Sequence, residues 1–225
     1  MATATIEREA PGAERFFVLY GVEYDAYVTI NDALGDGHAV RLIYVDERLT
    51  FLTASRRHEW NSERVGELVR AVATGAGLDW ESAGSSTYRK KAKEVGVEGD
   101  LTFYFGAHAL LMSGPVNIDL STQPPPDLAI EVELTHPADD ALLVYGRLGV
   151  PEVWRMDVNS WTLSFLLLRE DGTYAASERG LALPWLSADD VLDQLRLAEA
   201  MSAGRWFARL NEWVRTTILP RIAGG

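Results

Sequence analysis

Residues 127–133, with the sequence DLAIEVE, hold three carboxylates at alternating positions. Strand side chains point alternately to two faces, so Asp127, Glu131 and Glu133 would share one face and the apolar residues the other. Like charges on one face repel one another and are costly to desolvate unless a cation lies among them. The pattern therefore indicates either hard oxygen ligands for a divalent metal or the solvated acidic face of an edge strand.

A second acid precedes the strand predicted at residues 101–105, where the sequence reads GDLTFYF from Gly99. Asp100 stands at the start of this strand, about thirty residues before Glu131. Asp127 lies about 13 Å from Glu131 along an extended strand, too far to share a metal ion with it. We therefore interpret Asp127 as a capping or supporting residue.

The three lysines of the chain, Lys90, Lys91 and Lys93, fall within four residues. If the chemistry needs a lysine ammonium, this cluster must supply it. The alternative is a solvated turn that happens to carry lysines.

Composition limits the class of protein. The 225 residues have a formal net charge of −12, which argues against nonspecific electrostatic binding to nucleic acid. The absence of cysteine excludes disulfides and thiolate zinc sites. No signal peptide or membrane-length apolar run is visible, and no P-loop, GxGxxG or GxSxG motif occurs. We expect a cytoplasmic protein with no membrane segment.

Local patterns predict an α/β fold with a mixed central sheet flanked by helices. A hairpin is expected at residues 41–52, and Val65, Leu68, Val69 and Val72 have helical spacing. Further helices are predicted at residues 137–148 and from Ser187, whose spacing to Asp190 indicates a capping box. A final helix carries an apolar stripe that serves either core packing or a dimer surface.

Four blocks, in order, resemble the Uma2 family over residues 20–200. They are RHEW at 57–60, YR at 88–89 with GVEGDLTFY at 96–104, PPDLAIEVE at 125–133, and VYGRLGVPEVWRMD at 144–157. This resemblance implies a PD-(D/E)xK, restriction-endonuclease-like fold with an N-terminal hairpin and C-terminal helices. It divides the chain into a flexible arm (1–15), a nuclease-like domain (16–200) and a C-terminal helix for packing or dimer contact (201–225).

The resemblance also assigns roles. Asp100 and Glu131 would bind Mg²⁺ or Mn²⁺, and Glu59 could bind a second metal, whereas we interpret His58 as a packed histidine. Glu133 stands where a lysine is common and would bind metal or position water. Lys90 is the preferred replacement lysine, because Ala141 occupies a position where many relatives carry one. The candidate contacts to the DNA backbone are Arg56, Arg57, Arg64, Arg89, Lys91 and Lys93.

Three functions stay open on this sequence. The first is a metal-dependent endonuclease acting on DNA, expected to form a homodimer. The second is a catalytically inactive module of the same fold that binds a protein or nucleic-acid partner, which Ala141, Glu133 and the net charge favour. The third is a carboxylate-pair hydrolase such as a glycosidase, for which no aromatic sugar platform is visible.

Overall fold

A computed structural model describes residues 4–6, 15–35, 38–114, 118–134 and 138–224. In chain order the elements are β1 (Ala4–Ile6), β2 (Arg15–Tyr20), α1 (Tyr24–Leu34), β3 (Val40–Val45), β4 (Arg48–Thr53), α2 (Arg56–Gly75), β5 (Trp80–Gly84), β6 (Thr87–Lys90), β7 (Val95–Glu98), β8 (Leu101–Phe105), α3 (Ala107–Leu111), β9 (Leu128–Glu133), α4 (Asp139–Leu148), β10 (Glu152–Asp157), β11 (Thr162–Leu168), β12 (Tyr174–Ser177), α5 (Ala188–Glu199), α6 (Ala203–Trp213) and α7 (Leu219–Gly224). A 3₁₀ turn covers Lys91–Lys93, and a π-helical turn covers Val214–Ile218 between α6 and α7.

The strands described form two sheets. The first has the order β1-β2-β4-β3-β7-β6, and the second has the order β12-β11-β10-β9-β8-β5. In the second sheet β9 and β10 are parallel and α4 connects them, since parallel neighbours need a crossover. The predicted mixed α/β, restriction-endonuclease-like class is confirmed, but the strands divide between two sheets where we expected one.

The two faces of β9 meet different cores, as its alternation predicts. Ile130 and its apolar neighbours pack into the largest core cluster, which α2, α5 and α6 cover. Ala129 packs into a second cluster with Tyr145 of α4 and Val97 of β7. Since α4 contacts β3 and β7, this second cluster fills the space between the sheets. The acidic face of β9 therefore points toward α4 and the first sheet rather than toward solvent.

Several local predictions are confirmed. The 41–52 hairpin is β3 and β4, the helix predicted from Val65 is α2, and Ser187 caps α5 in a capping box. The predicted final helix is divided into α6, the π-helical turn and α7; Trp206, Leu210 and Val214 of its apolar stripe are buried in the largest cluster, whereas Phe207 is exposed.

The N-terminal arm and the start of α4 differ in detail from the prediction. Within the predicted arm, Ala4–Ile6 forms a strand paired with β2, and the rest of residues 1–14 lies outside the described part. The helix expected from Pro137 begins at Asp139, and Pro137 also lies outside the described residues. No helix in the described ranges is long and apolar enough to cross a membrane.

Candidate active site

Asp100 and Glu131 lie opposite each other on neighbouring strands. β8 pairs antiparallel with β9 with Leu101 opposite Ile130, and this register continues to place Asp100 opposite Glu131. The Val132 amide donates to Asp100 Oδ2 at 2.7 Å. Both carboxylates are buried, with 5% and 8% of their surface exposed. The chain crosses from the first sheet to the second at Gly99 and Asp100, so this pair lies where the two sheets meet.

Arg41 on β3 reaches the same point from the first sheet. Its Nη1 donates to Asp100 Oδ1, and its Nη2 donates to Glu59 Oε1 at 2.8 Å. Arg41 is mostly buried, whereas the side chain of Glu59 is exposed. The guanidinium therefore lies between Asp100 and Glu59. We had assigned Arg41 no function from the sequence.

His58 belongs to this site and not merely to the core. Only 2% of it is exposed, and its Nε2 lies 2.8 Å from both Asp100 Oδ1 and Arg41 Nη1. Arg41 can only donate, so Nε2 accepts from Arg41 in one tautomer and donates to Asp100 in the other. Ser55 Oγ accepts from the His58 amide at 3.1 Å, which caps α2 and fixes the position of the ring.

The two carboxyl groups have opposite electrostatic environments. Burial alone would raise the pKa of Asp100, but the charge and hydrogen bond of His58, then Arg41 and the Val132 amide, hold that pKa below its ordinary value. Burial, followed by the negative charge of Asp100, raises the pKa of Glu131 to about 8. Arg41 and His58 lower the pKa of Glu131 as well, but they offset its burial only in part.

Tyr145 holds Glu131 from α4. Its hydroxyl donates to Glu131 Oε1 at 2.6 Å, and burial strongly raises the pKa of Tyr145. Gly99 leaves room for this contact, because a Cβ at position 99 would overlap the tyrosine hydroxyl and lie 2.9 Å from Glu131 Oε1. A glycine before Asp100 is therefore a packing requirement here.

Glu133 does not join the pair. Arg155 Nε donates to Glu133 Oε1 at 2.8 Å, and Arg155 Nη1 lies 3.1 Å from Asp139. Arg155 is also the register partner of Glu131 on β10, a placement that we had not predicted. Within the described ranges, no three His, Asp or Glu side chains are arranged to hold a metal ion. The structure thus does not assemble Glu133 as a third ligand.

Asp127 acts as the predicted supporting residue. Its Oδ2 accepts from the Phe105 amide at 2.7 Å, and its Oδ1 lies 2.8 Å from His108 Nδ1. These contacts tie the start of β9 to the end of β8.

The lysine cluster lies at the end of the β6–β7 hairpin that is farther from Asp100, which disagrees with the prediction that Lys90 reaches the site. Thr87 pairs with Glu98 near the crossover, while Lys90 pairs with Val95 at the other end of the β6–β7 hairpin. Lys91 is exposed and lies 3.2 Å from Asp25, and Lys93 is exposed in the adjoining turn. The register of this hairpin, which the sequence pattern did not reveal, places all three lysines at its distal end.

The arginines predicted to contact DNA have different environments. Arg56 and Arg57 are exposed in the first turn of α2, directly before His58. Arg89 pairs with Asp32 at 2.6 Å, on the first sheet. Arg64 is buried, pairs with Glu67 and stacks over Trp60 and Trp206, so its assignment as a DNA contact is wrong. Arg56 and Arg57 are exposed and directly precede His58, whose ring contacts the buried Asp100.

The donor set fits one Mg²⁺ better than two. Mg²⁺ is commonly held by one or two carboxylates and keeps several waters. Asp100 and Glu131, opposite each other on adjacent strands and both buried, supply two such carboxylates. A second metal at Glu59 does not fit, because Arg41 already bridges Glu59 and Asp100.

The profile of the Uma2 family, described as "Putative restriction endonuclease", matches residues 24–200, more than half of the chain. The chain belongs to the Uma2 family. The matched range includes Asp100, Glu131 and Glu59 and ends before α6. A search of curated proteins found no match. Membership supports a nuclease-like function that involves nucleic acid, in a fold class that generally uses divalent metals.

Proposed function

We propose that this Uma2 protein is a metal-dependent endonuclease that hydrolyses DNA phosphodiester bonds. The observation that carries the proposal is the buried pair of Asp100 and Glu131 on adjacent strands, with the Val132 amide fixing one carboxylate. Burying two carboxylates side by side is costly, so the arrangement favours a role that needs them together.

Asp100, Glu131 and the Val132 carbonyl would hold Mg²⁺ or Mn²⁺. When bound, such a metal supplies an activated water and neutralises charge on the phosphate. Tyr145 fixes the orientation of Glu131 through its hydroxyl. Arg56 and Arg57 would contact phosphates that flank the cleaved bond, since arginine binds phosphate oxygens in a bidentate manner.

Relatives commonly place a lysine at the nuclease site, and in this chain another cation must take its role. The lysine cluster is distant, so Arg155 is the better candidate: it lies beside Glu131 in register, and Glu133 and Asp139 hold its guanidinium. In this assignment Glu133 positions Arg155 and does not bind metal.

A second function is favoured by a specific observation. Arg41 and His58 already occupy Asp100 Oδ1, and the helix position where a lysine is expected is the buried Ala141. Both features fit a catalytically inactive module that keeps the nuclease fold and binds a nucleic-acid or protein partner.

Calorimetric titration of Mn²⁺ into the wild type, Asp100→Ala and Glu131→Ala separates the two functions. Asp127→Asn is the matched control, because this carboxylate precedes the same strand but lies about 13 Å from Glu131. The same samples are then incubated with supercoiled and single-stranded DNA.

For an endonuclease we expect Mn²⁺ binding and Mn²⁺-dependent nicking in the wild type and the control, with both lost in the two alanine variants. Binding should strengthen as the pH rises from 6 to 8, since a ligand carboxyl must be deprotonated to bind metal. A folded wild type that neither binds Mn²⁺ nor nicks DNA would support the inactive module.

The homodimer expected from the resemblance, and the cytoplasmic location expected from the sequence, form part of the same proposal. Sedimentation equilibrium of the purified chain tests the dimer directly.

A further inference from the structure

Arg41 gives the carboxylate pair a cation from within the protein. It belongs to β3 of the first sheet, whereas Glu131 belongs to β9 of the second. Its guanidinium donates to Asp100 and to Glu59 and contacts His58. Arginine is well suited to this position because its planar fork can bind two carboxylates at once and keeps its charge.

A divalent cation and Arg41 compete for Asp100. An ionised carboxylate offers about four lone-pair directions. Asp100 Oδ1 meets both Arg41 Nη1 and His58 Nε2, and Oδ2 accepts from the Val132 amide. A metal beside Glu131 would also lie close to the guanidinium, and the two positive charges repel each other in a buried site.

A cavity next to Arg41 offers space for the guanidinium when it leaves Asp100. Arg41 and Glu59 line a cavity of about 860 Å³ on the side of the first sheet. Asp32 and Glu98 line the same cavity but already pair with Arg89 and with Asn31, Leu42 and Thr87. The exposed carboxylate of Glu59, to which Arg41 already donates, is therefore the acid that would keep the guanidinium. The described residues that line this cavity do not include Asp100 or Glu131, and Arg41 lies between Asp100 and that space.

We propose that Arg41 is the resident cation of the Asp100–Glu131 pair, and that a divalent metal binds the pair only as the guanidinium leaves Asp100 for the adjoining cavity. Arg41 thereby sets the metal affinity of the site. The proposal rests on the proposed function for the choice of a divalent cation, but not on nuclease activity.

Metal binding measured without DNA tests this competition. Mn²⁺ alone is titrated by calorimetry into the full-length wild type, Arg41→Gln and Arg41→Lys. The matched control is Arg48→Gln, because Arg48 on the neighbouring strand β4 lies opposite Val45, at the other end of β3 from Arg41, and pairs with Asp140. Circular dichroism of each variant, with and without Mn²⁺, reports whether it is folded.

We expect Arg41→Gln to bind Mn²⁺ at least tenfold more tightly than the wild type, and Arg48→Gln to match the wild type. Arg41→Lys should fall between them, because a compact ammonium cannot span Asp100 and Glu59. If Arg41→Gln does not fold, the Mn²⁺ affinity of Arg41→Lys, compared with that of the wild type, tests the proposal. Unchanged or weaker affinity in the folded Arg41 variants would overturn the proposal.

The outcomes also separate this proposal from the proposed function. A wild type that binds no Mn²⁺, together with an Arg41→Gln variant that does, supports the role of Arg41 and argues against a wild-type metallonuclease. A wild type that binds Mn²⁺ and cleaves DNA, with an affinity that Arg41→Gln leaves unchanged, would retain the nuclease and remove the role of Arg41.

Discussion

Replacing Glu131 with glutamine should make the protein more stable at alkaline pH. Burial and the charge of Asp100 raise the pKa of Glu131 to about 8, from an ordinary value of 4.5. The folded state therefore keeps a proton that the unfolded chain has lost, and the stability that this proton contributes disappears as the pH rises from 4.5 through 8. Glutamine mimics the protonated carboxyl and can still accept the hydrogen bond from Tyr145.

The size of the effect follows from the two pKa values. Each pKa unit is worth about 1.4 kcal/mol at 25 °C, so the full difference is about 5 kcal/mol. Between pH 5 and pH 8 the wild type should lose roughly 3–4 kcal/mol of unfolding free energy through this one group. That is a large fraction of the roughly 5–15 kcal/mol that stabilises an ordinary domain.

Urea denaturation of the metal-free proteins between pH 5 and pH 8 measures this loss. The difference in unfolding free energy between Glu131→Gln and the wild type should grow with pH. Glu133→Gln is the matched control, because it makes the same chemical change on the same strand face, at a carboxylate that forms an ion pair with Arg155. Parallel pH profiles for Glu131→Gln and the wild type would refute the reasoning.

Two further substitutions test the packing around the site and the end of the chain. Gly99→Ala should destabilise the protein by about 1–3 kcal/mol, because the new Cβ overlaps the Tyr145 hydroxyl. The control is Gly204→Ala, whose Cβ meets nothing within 4 Å and which should not destabilise the protein. The urea midpoints of the two variants measure the difference. Trp206→Ala should cost about 3–5 kcal/mol in thermal or urea unfolding, since the ring is fully buried in the core. Phe207→Ala, at an exposed position of the same helix, should change stability by no more than about 0.5 kcal/mol, and a change in its sedimentation would instead identify a dimer contact.

Elements with strong local signals were predictable from the sequence. The alternation in β9, the helical spacing in α2 and the capping box of α5 each arise from side chains within a few residues of one another. β7 was missed because it is short and contains Gly96, and its strand conformation depends on pairing with both β3 and β6. The division into two sheets was missed for the same reason, since sheet membership depends on partners far away in the chain.

In the candidate site, too, some features were predictable from the sequence and others depended on distant partners. The family resemblance implied that Asp100 and Glu131 act together, and the register of β8 and β9 places the two residues opposite each other. The prediction that Lys90 reaches the site failed, since the direction of the β6–β7 hairpin carries it away.

The sequence by itself determined which carboxylates share a face, and it left open whether a cation or solvent offsets their charge. Only the tertiary structure decided that these carboxylates are buried and that Arg41 supplies a cation: it is 59 positions from Asp100 in the chain and reaches it where the two sheets meet. The physical reason is that strand alternation is a property of neighbouring residues. The electrostatic environment of a buried carboxylate instead depends on every group within a few ångströms, whatever its distance along the chain.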